Sequence, residues 1–576
     1  MIHKLFRQIT TTQIFSSMTN YVCLLIDSIV IGRLVGIEAM SAYGIAAPLL
    51  TIYTALSMMI VNGVQVPLGA AIGHGDREGT NACYSTSMAM AMLLAILSML
   101  LVFTMGDPLC SMLGAPPGEV FTLTKDYLRG YMLGSPFFFF SQLLNTYLQT
   151  MGKRKRVTSS VIAMTVVDVV GDLLSVFVFH GGMFGIGLVS SLSYFASCIV
   201  SFGGMLEKDS FFKFGRINPH TVLDILRSGG TVLLNQAFVT TRTLAYNLLL
   251  LKIAGTTAVA AFAAYTTLTN LMYTIGLGAG STTLMLSSIF YGEEDRESIY
   301  SLVEVMLQHT LILTVLVILL SVITAPWLLQ LFLGADLQEM AVAGLQLLLI
   351  SLIPNMLSNV FKYYFLGIKQ PQINTLIAFL QHVGLNLPFV WFFSRLFGFG
   401  GVWVGAVVGQ SAALLFIAFL CWRKYGKVSF SAEAFSYLGK DFGAKPEDCV
   451  TMTVSNVADA VAASQSLCDF CIQRGIERRT SMLIGLCVEE MTINIIEHGF
   501  TMDSYPHHVD VRLVATTNKN ILRIRDNCAN FDPTEYFKLH QDTDPSAHIG
   551  LRMVMGMVKE ARYVNAMGLN NLTLVL

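Results

Sequence analysis

Long apolar runs separated by short polar interruptions fill the chain up to about residue 425, after which the pattern changes. Between residues 11 and 422 there are twelve predominantly apolar stretches of about 20 residues, the length a helix needs to cross bilayer hydrocarbon. The interruptions carry Gly and charge, as in GHGDRE (73–78) and MGKRKR (151–156). Beyond Lys427 no run is long enough to span. A linker and a first strand are expected over 428–450, and VADAVAASQSLCDFCIQRG (457–475) and RRTSMLIGLCVEEMTINIIEHGF (478–500) have helical periodicity. HHVDVRLVATT and NILRIRDNCANFDP alternate as a hairpin, IGLRMVMGMVKEA reads as a helix, and ARYVNA and NNLTLVL read as closing strands. The pattern predicts a polytopic α-helical membrane protein with 12 transmembrane helices in two six-helix repeats. A C-terminal soluble α+β domain follows, its helices packed on one face of a mixed sheet.

Composition sharpens this division. The whole chain has a mean hydropathy of +0.62 and is 13% charged, too apolar for one large soluble globule. Residues 1–430 hold 23 Lys/Arg and 19 Asp/Glu, and the remaining residues hold 13 and 18, an ordinary soluble density. A net charge of -1 leaves no basic excess for nucleic acid. The ten cysteines are scattered, so no disulfide framework is implied, and Cys468 and Cys471 read as small helix residues rather than a zinc site. With the N-terminus inside, 17 Lys/Arg, Lys362 among them, fall on the inner side and five on the outer. That asymmetry predicts both termini on the cytoplasmic side of a multi-pass inner (plasma) membrane protein.

The body repeats itself. GIEAMSAYGIA (36–46) aligns with GTTAVAAFAAY (255–265) at an offset of 219, and MFGIGLVSSLS (183–193) aligns with GFGGVWVGAVV (398–408) at 215. The expected division is an N-terminal bundle (1–206), a basic linker (207–230), a C-terminal bundle (231–427), a second linker (428–449) and the soluble domain (450–576). Repeats of this kind place a substrate path at their interface.

Acids inside membrane spans are costly and mark ion sites by default. Asp27, Asp168 and Asp172 qualify, and Asp168 and Asp172, four apart, share one helix face where two carboxylates can share a proton. The second half has no mid-span acid but carries Arg242, a candidate for the substrate cleft. Arg242 can pair with an N-terminal acid across the cleft, bind an anionic substrate, or hold a buried structural partner.

LLIDSIVIGRLVGIEAMSAYGIAAPL (24–49), GHGDRE (73–78) and VVDVVGDLLSVFVFHGGMFGIG (166–187) resemble, in order, motifs of the multidrug and toxic compound extrusion (MATE) transporters. The resemblance covers residues 5–425. It implies a secondary transporter exchanging H+ or Na+ for an organic small molecule, with Asp27 and Asp172 in the N-terminal cation site. Asp168 stands where that family usually has Asn. A lipid-linked oligosaccharide flippase of the wider superfamily is the lesser alternative for the body.

In the tail, Glu490, Asn494 and His498 recur at intervals of four on one helix face. EEMTINIIEHG, RDNCANFDP and SAHIGLRMV resemble, in order, three motifs of the GHKL ATPases, and within them the anti-sigma-factor serine kinases. The resemblance implies ATP bound with Mg2+, Asn494 as the metal residue and Glu490 as the catalytic base. His498 belongs to the same box, Asp526 would accept from the adenine amino group, and Gly550 and Leu551 would open a helix that takes phosphate. It also implies a STAS-type protein partner. Cys528 and His548 stand where Gly is usual, and residues 540–548 read as a lid or an ordinary loop. The tail is then a Ser-kinase-like enzyme or a non-catalytic ATP binder regulating the transporter, or the body is a sensor controlling the tail.

Overall fold

The computed structural model describes residues 2–207, 213–332, 338–500, 507–515, 520–539 and 549–576. The described part of the body is built from helices joined by short turns. Its first half comprises α1 (Ile2–Val30), α2 (Ile37–Gly73), α3 (Arg77–Thr104), the short α4 (Gly106–Met112), α5 (Glu119–Leu133), α6 (Ser135–Thr150), α7 (Arg154–Phe177) and α8 (Gly182–Met205). The second comprises α9 (Pro219–Gly292), α10 (Arg296–Phe332), α11 (Gln338–Gly367), α12 (Pro371–Phe379) and α13 (Asn386–Tyr425). Among the described residues, seven helical segments are long and apolar enough to cross a membrane. Large apolar side chains such as Leu93, Leu100, Leu316 and Leu320 point outward from them, as they do where the solvent is lipid.

Local chemistry sets the helix ends. Asp76 caps α3 by accepting from the Gly79 amide at 2.9 Å, and Asn218 caps α9 ahead of Pro219. Two apolar runs that the sequence separates are joined in α9 across a kink at Ala254 and Gly255, and two more in α13 across Gly398 at φ 58°. α9 starts inside the stretch read as linker.

The halves meet through small residues. Where α2 crosses α9, a Cβ added at Gly69 would lie 2.0 Å from Ser288 Oγ, and one at Gly73 would lie 2.5 Å from the Ile289 carbonyl. Absent side chains thus let the two backbones approach as helices in lipid do. Just above, Val66 packs with Leu284 and Leu366.

After α14 (Ala432–Phe435) come β1 (Cys449–Val454), α15 (Val457–Gln473), α16 (Arg478–Asn494), β2 (Val509–Ala515), β3 (Asn520–Asp526), α17 (Pro533–Leu539), α18 (Ile549–Met557), β4 (Glu560–Ala566) and β5 (Leu569–Val575). The five strands lie in the order β1-β2-β3-β5-β4 with every pairing antiparallel. The sheet is therefore not mixed as expected: the connection from β3 to β4 skips one position, and β5 fills it antiparallel to both. The inward positions Val509, Val511, Leu513, Leu522 and Ile524 form one core with Leu467 of α15, Val488 of α16 and Val554 of α18.

The other face of the sheet rests on the body. Arg523 pairs with Glu293 and Asp295 in the turn between α9 and α10, Arg512 pairs with Asp295, and Arg525 pairs with Glu293. Asn571 donates to Glu293 Oε1 at 2.8 Å, and the Arg525 guanidinium lies over the Phe290 ring. The tail also grips the first half. Arg562 donates to the His74 carbonyl at 2.9 Å, and Arg77 reaches Asp532 and the Tyr563 carbonyl. The β4–β5 turn, Met567 and Gly568 both at positive φ, is a two-residue hairpin tip. That tip seats on the end of α6: the Met567 amide donates to the Thr150 carbonyl at 2.5 Å, and a Cβ at Gly152 would lie 2.3 Å from the Gly568 nitrogen.

Candidate functional sites

A cleft of about 620 Å3 opens between the halves, beyond the crossing of α2 and α9 as seen from the tail. Asp27 of α1 and Asp168 of α7 line its first-half wall, and Asp172, one turn along α7, lies behind it. All three are buried. Asp27 Oδ1 and both oxygens of Asp172 receive no hydrogen bond among the described residues. Three clustered carboxyl groups, two of them with orphaned oxygens, make this wall under-satisfied. Even so, among the described residues no group of three His, Cys, Asp or Glu is arranged to hold a metal ion.

The second-half wall is basic. Arg242 of α9 donates from Nη1 to His382 Nδ1 at 3.2 Å, so its partner lies in its own half and the pairing with an acid across the cleft is not made. His382 sits in a π-helical turn, Leu380–Gly384, that joins α12 to α13. Lys362 of α11 donates to Asn235 Oδ1 at 3.1 Å and lines the same cleft. Charge asymmetry puts Lys362 among the inner-side charges because it stands at the end of an apolar run, as a span boundary does, yet it is 4% exposed. His382 was missed, because a lone His in an apolar run carries no spacing signal.

In the tail, Glu490 and Asn494 lie half-buried near the end of α16, which widens into a π-helical turn, Ile495–Gly499, carrying the exposed His498. Such turns recur at functional sites. Glu490 packs against the opening of α18, where a Cβ at Gly550 would lie 1.8 Å from Glu490 Oε2. A carboxylate thus occupies the helix end expected to take phosphate, and the neighbouring Leu551 is buried in the core. Asp526, at the end of β3, accepts at Oδ1 from the Cys528 amide at 2.9 Å and from Asn570 Nδ2 at 2.8 Å. Burial pushes the Asp526 carboxyl above its ordinary value against the lowering effect of those bonds. Cys528 is not among the residues at positive φ, so the turn tolerates it, and its sulfur packs against Gly499. His548 and the 540–548 stretch lie outside the described residues. Cys468 and Cys471 are free thiols in α15.

Paired helical bundles around a central cleft with buried charge on both walls define a membrane-transporter fold. The family model described as MatE matches residues 13–174 and 232–392, more than half of the chain, and this protein belongs to that family. The two matched segments start close to the 219-residue offset read from the sequence. The chain is 25% identical over 174 residues to the probable multidrug resistance protein YoeA of Bacillus subtilis, a match spanning 30% of this chain but only 36% of that protein. It is 21% identical over 391 residues to the multidrug export protein MepA of Staphylococcus aureus, 67% of this chain and 86% of that one. Among solved structures, an outward-facing multidrug resistance MATE family transporter of the MOP superfamily superposes with a TM-score of 0.68 at 20% identity, covering 72% of this chain and 94% of its own. The Vibrio cholerae MATE transporter VcmN gives 0.68 at 19%, covering 74% and 97%. The protein is a multi-pass membrane protein.

Proposed function

We propose that the protein is a cation-coupled exporter of organic compounds, as the names of its relatives suggest, with twelve membrane crossings in two six-helix repeats and both termini in the cytoplasm. The observation that carries this reading is the buried, under-satisfied cluster of Asp27, Asp168 and Asp172 at a cleft formed by both halves. A proton or Na+ entering that cluster neutralises charge that nothing else among the described residues meets, so occupancy of the cleft and of the cluster become linked. The test is flux in proteoliposomes energised by a proton or a sodium gradient. Asp27→Asn and Asp172→Asn should abolish gradient-driven movement of the transported compound while the protein stays folded. Undiminished flux in both variants refutes the assignment.

For the tail we propose a GHKL-type nucleotide-binding domain acting on the transporter or on a serine of a STAS-type partner. Favouring it, Glu490 sits against the start of α18 with Asn494 one turn further along α16, and Asp526 ends a neighbouring core strand. Nucleotide binding then requires Glu490 to leave Gly550. ATP titration of the full chain should show Mg2+-dependent binding that Asn494→Ala removes. Binding that is indifferent to Mg2+ and to the substitution refutes the role given to Asn494.

A further inference from the structure

The basic wall of the cleft has more donors than acceptors. Arg242 carries five N–H groups and, among the described residues, gives one bond, to His382. Lys362 carries three and, among the described residues, gives one, to Asn235. Because His382 Nδ1 accepts from Arg242, its ring proton sits on Nε2, and that atom is buried with no partner among the described residues. Lys362 and His382 are 4% and 3% exposed. Neither Arg242 nor Lys362 belongs to any ion pair among the described residues. The carboxylates of the cleft, Asp27 and Asp168, stand on the opposite wall. A buried donor without an acceptor is costly, and His382 Nε2–H lies buried beside the remaining N–H groups of Lys362 and of half-buried Arg242 on one cleft wall, so an acceptor that enters the cleft completes all three.

We propose that Arg242, Lys362 and His382 form a binding site for the anionic head of an amphipathic organic solute, a carboxylate, sulfonate or phosphate. The three side chains come from three different elements, α9, α11 and the turn after α12, and converge on one cavity. Each supplies a different part of anion recognition: the Arg fork accommodates two oxygens, the Lys ammonium adds a point charge, and His382 Nε2–H adds a directed donor. The rest of the wall suits the body of such a solute, because Tyr43, Phe138, Tyr273 and Tyr363 line the same space. The proposal deepens the transport reading and rests on it for movement across the membrane, though not for occupancy of the site.

The experiment is equilibrium binding to the full chain in phosphatidylcholine nanodiscs, read by fluorescence anisotropy. Fluorescein serves as the anionic probe and ethidium as the cationic one. Fluorescein should bind the wild type, and Arg242→Gln and Lys362→Met should each weaken it roughly ten- to a hundredfold. Arg242→Lys should recover part of that loss, and ethidium should respond to none of the three. Should Lys362→Met fail to fold by thermal melting, the Arg242→Gln and Arg242→Lys pair decides alone. Absent fluorescein binding, or binding equal in all variants, overturns the site. Repeating the titration in phosphatidylglycerol discs separates the sources of the anion. Loss of fluorescein binding there assigns the site to a lipid headgroup and overturns the solute form of the proposal. Fluorescein binding lost in the variants, with flux indifferent to Asp27→Asn, leaves the site standing and removes the coupled-transport reading.

Discussion

Neutralising Asp295 is the sharpest perturbation of the contact between tail and body. Its carboxylate pairs with Arg512 and Arg523 and accepts from the Ser298 hydroxyl at 2.7 Å, with its side chain only 2% exposed. Asp295→Asn keeps the shape, leaves Arg523 and Arg525 sharing Glu293, and deprives Arg512 of its carboxylate. Breaking one side of a buried ionic cluster costs about 3–5 kcal/mol, so the docked-to-undocked ratio should fall by roughly two to three and a half powers of ten. Cys449 reports the change. It is buried on the docking face, where its sulfur receives the Arg512 Nε–H at 3.1 Å, and a thiol reagent reaches it only when the sheet lifts away. Maleimide labelling of the full chain, followed by mass spectrometry of the Cys449 peptide, tracks the undocked population when reclosing is faster than reaction. Labelling should accelerate strongly in Asp295→Asn and recover in part in the charge-swapped pair Asp295→Arg with Arg523→Asp. Equal labelling in wild type and Asp295→Asn refutes the idea that this cluster holds the tail. The pH dependence carries a definite sign. Burial alone would raise the Asp295 carboxyl, but Arg523, Arg512 and Arg525 hold it well below the usual carboxylate range. Its contribution is therefore complete at any pH above the ordinary carboxylate value and is lost only as pH falls through the depressed one. Across neutral pH, once the thiolate fraction of the cysteine is allowed for, protection of Cys449 should not change through this group.

Two further outcomes follow from contacts described above. Gly152→Val places a side chain where Gly568 already sits, at a backbone φ of 75°, and should release the hairpin tip and raise Cys449 labelling without touching the ionic cluster. Labelling at the wild-type rate would show that the tip is not needed for docking. Asp526→Asn keeps the Oδ1 acceptor for Asn570 and Cys528 but removes a carboxyl whose folded pKa is raised by burial. The folded form of wild type holds its proton more tightly than the unfolded form, so stability from this group is present in acid and lost as pH rises through the raised value. The variant should therefore gain thermal stability relative to wild type in neutral buffer more than in mildly acidic buffer, and a gain independent of pH would contradict the burial argument.

Local rules carried the sequence reading far. Apolar run length located the body, spacing brought Asp168 and Asp172 onto one face of α7, and strand alternation marked β2 and β3 as a hairpin. What escaped the reading depends on distance along the chain. Three arginines alternating on a hairpin have the same pattern whether they meet water or a partner, and the partner, at 293 and 295, lies more than 200 residues away. Lys362 escaped for a related reason: a charge near the end of an apolar run marks either a boundary or a buried cation, and only the packing of α11 against α9 separates the two. The π-helical turns at 380–384 and 495–499 left no trace, because one extra residue per turn alters no hydrophobic period that a short window can register.

The tail touches three turns of the body at once: 74–77 and 150–154 in the first half and 293–295 in the second. A body bound in this way cannot part its halves on that side without lifting the tail from at least one of them. Separation and detachment then share one equilibrium, and such sharing obliges reciprocity. Whatever factor a ligand of the tail imposes on affinity in the cleft, a solute in the cleft returns to the tail undiminished. Were the tail to bind a ligand as proposed, the direction of control between body and tail would be a matter of which ligand is scarce, since reciprocity treats the two as equals.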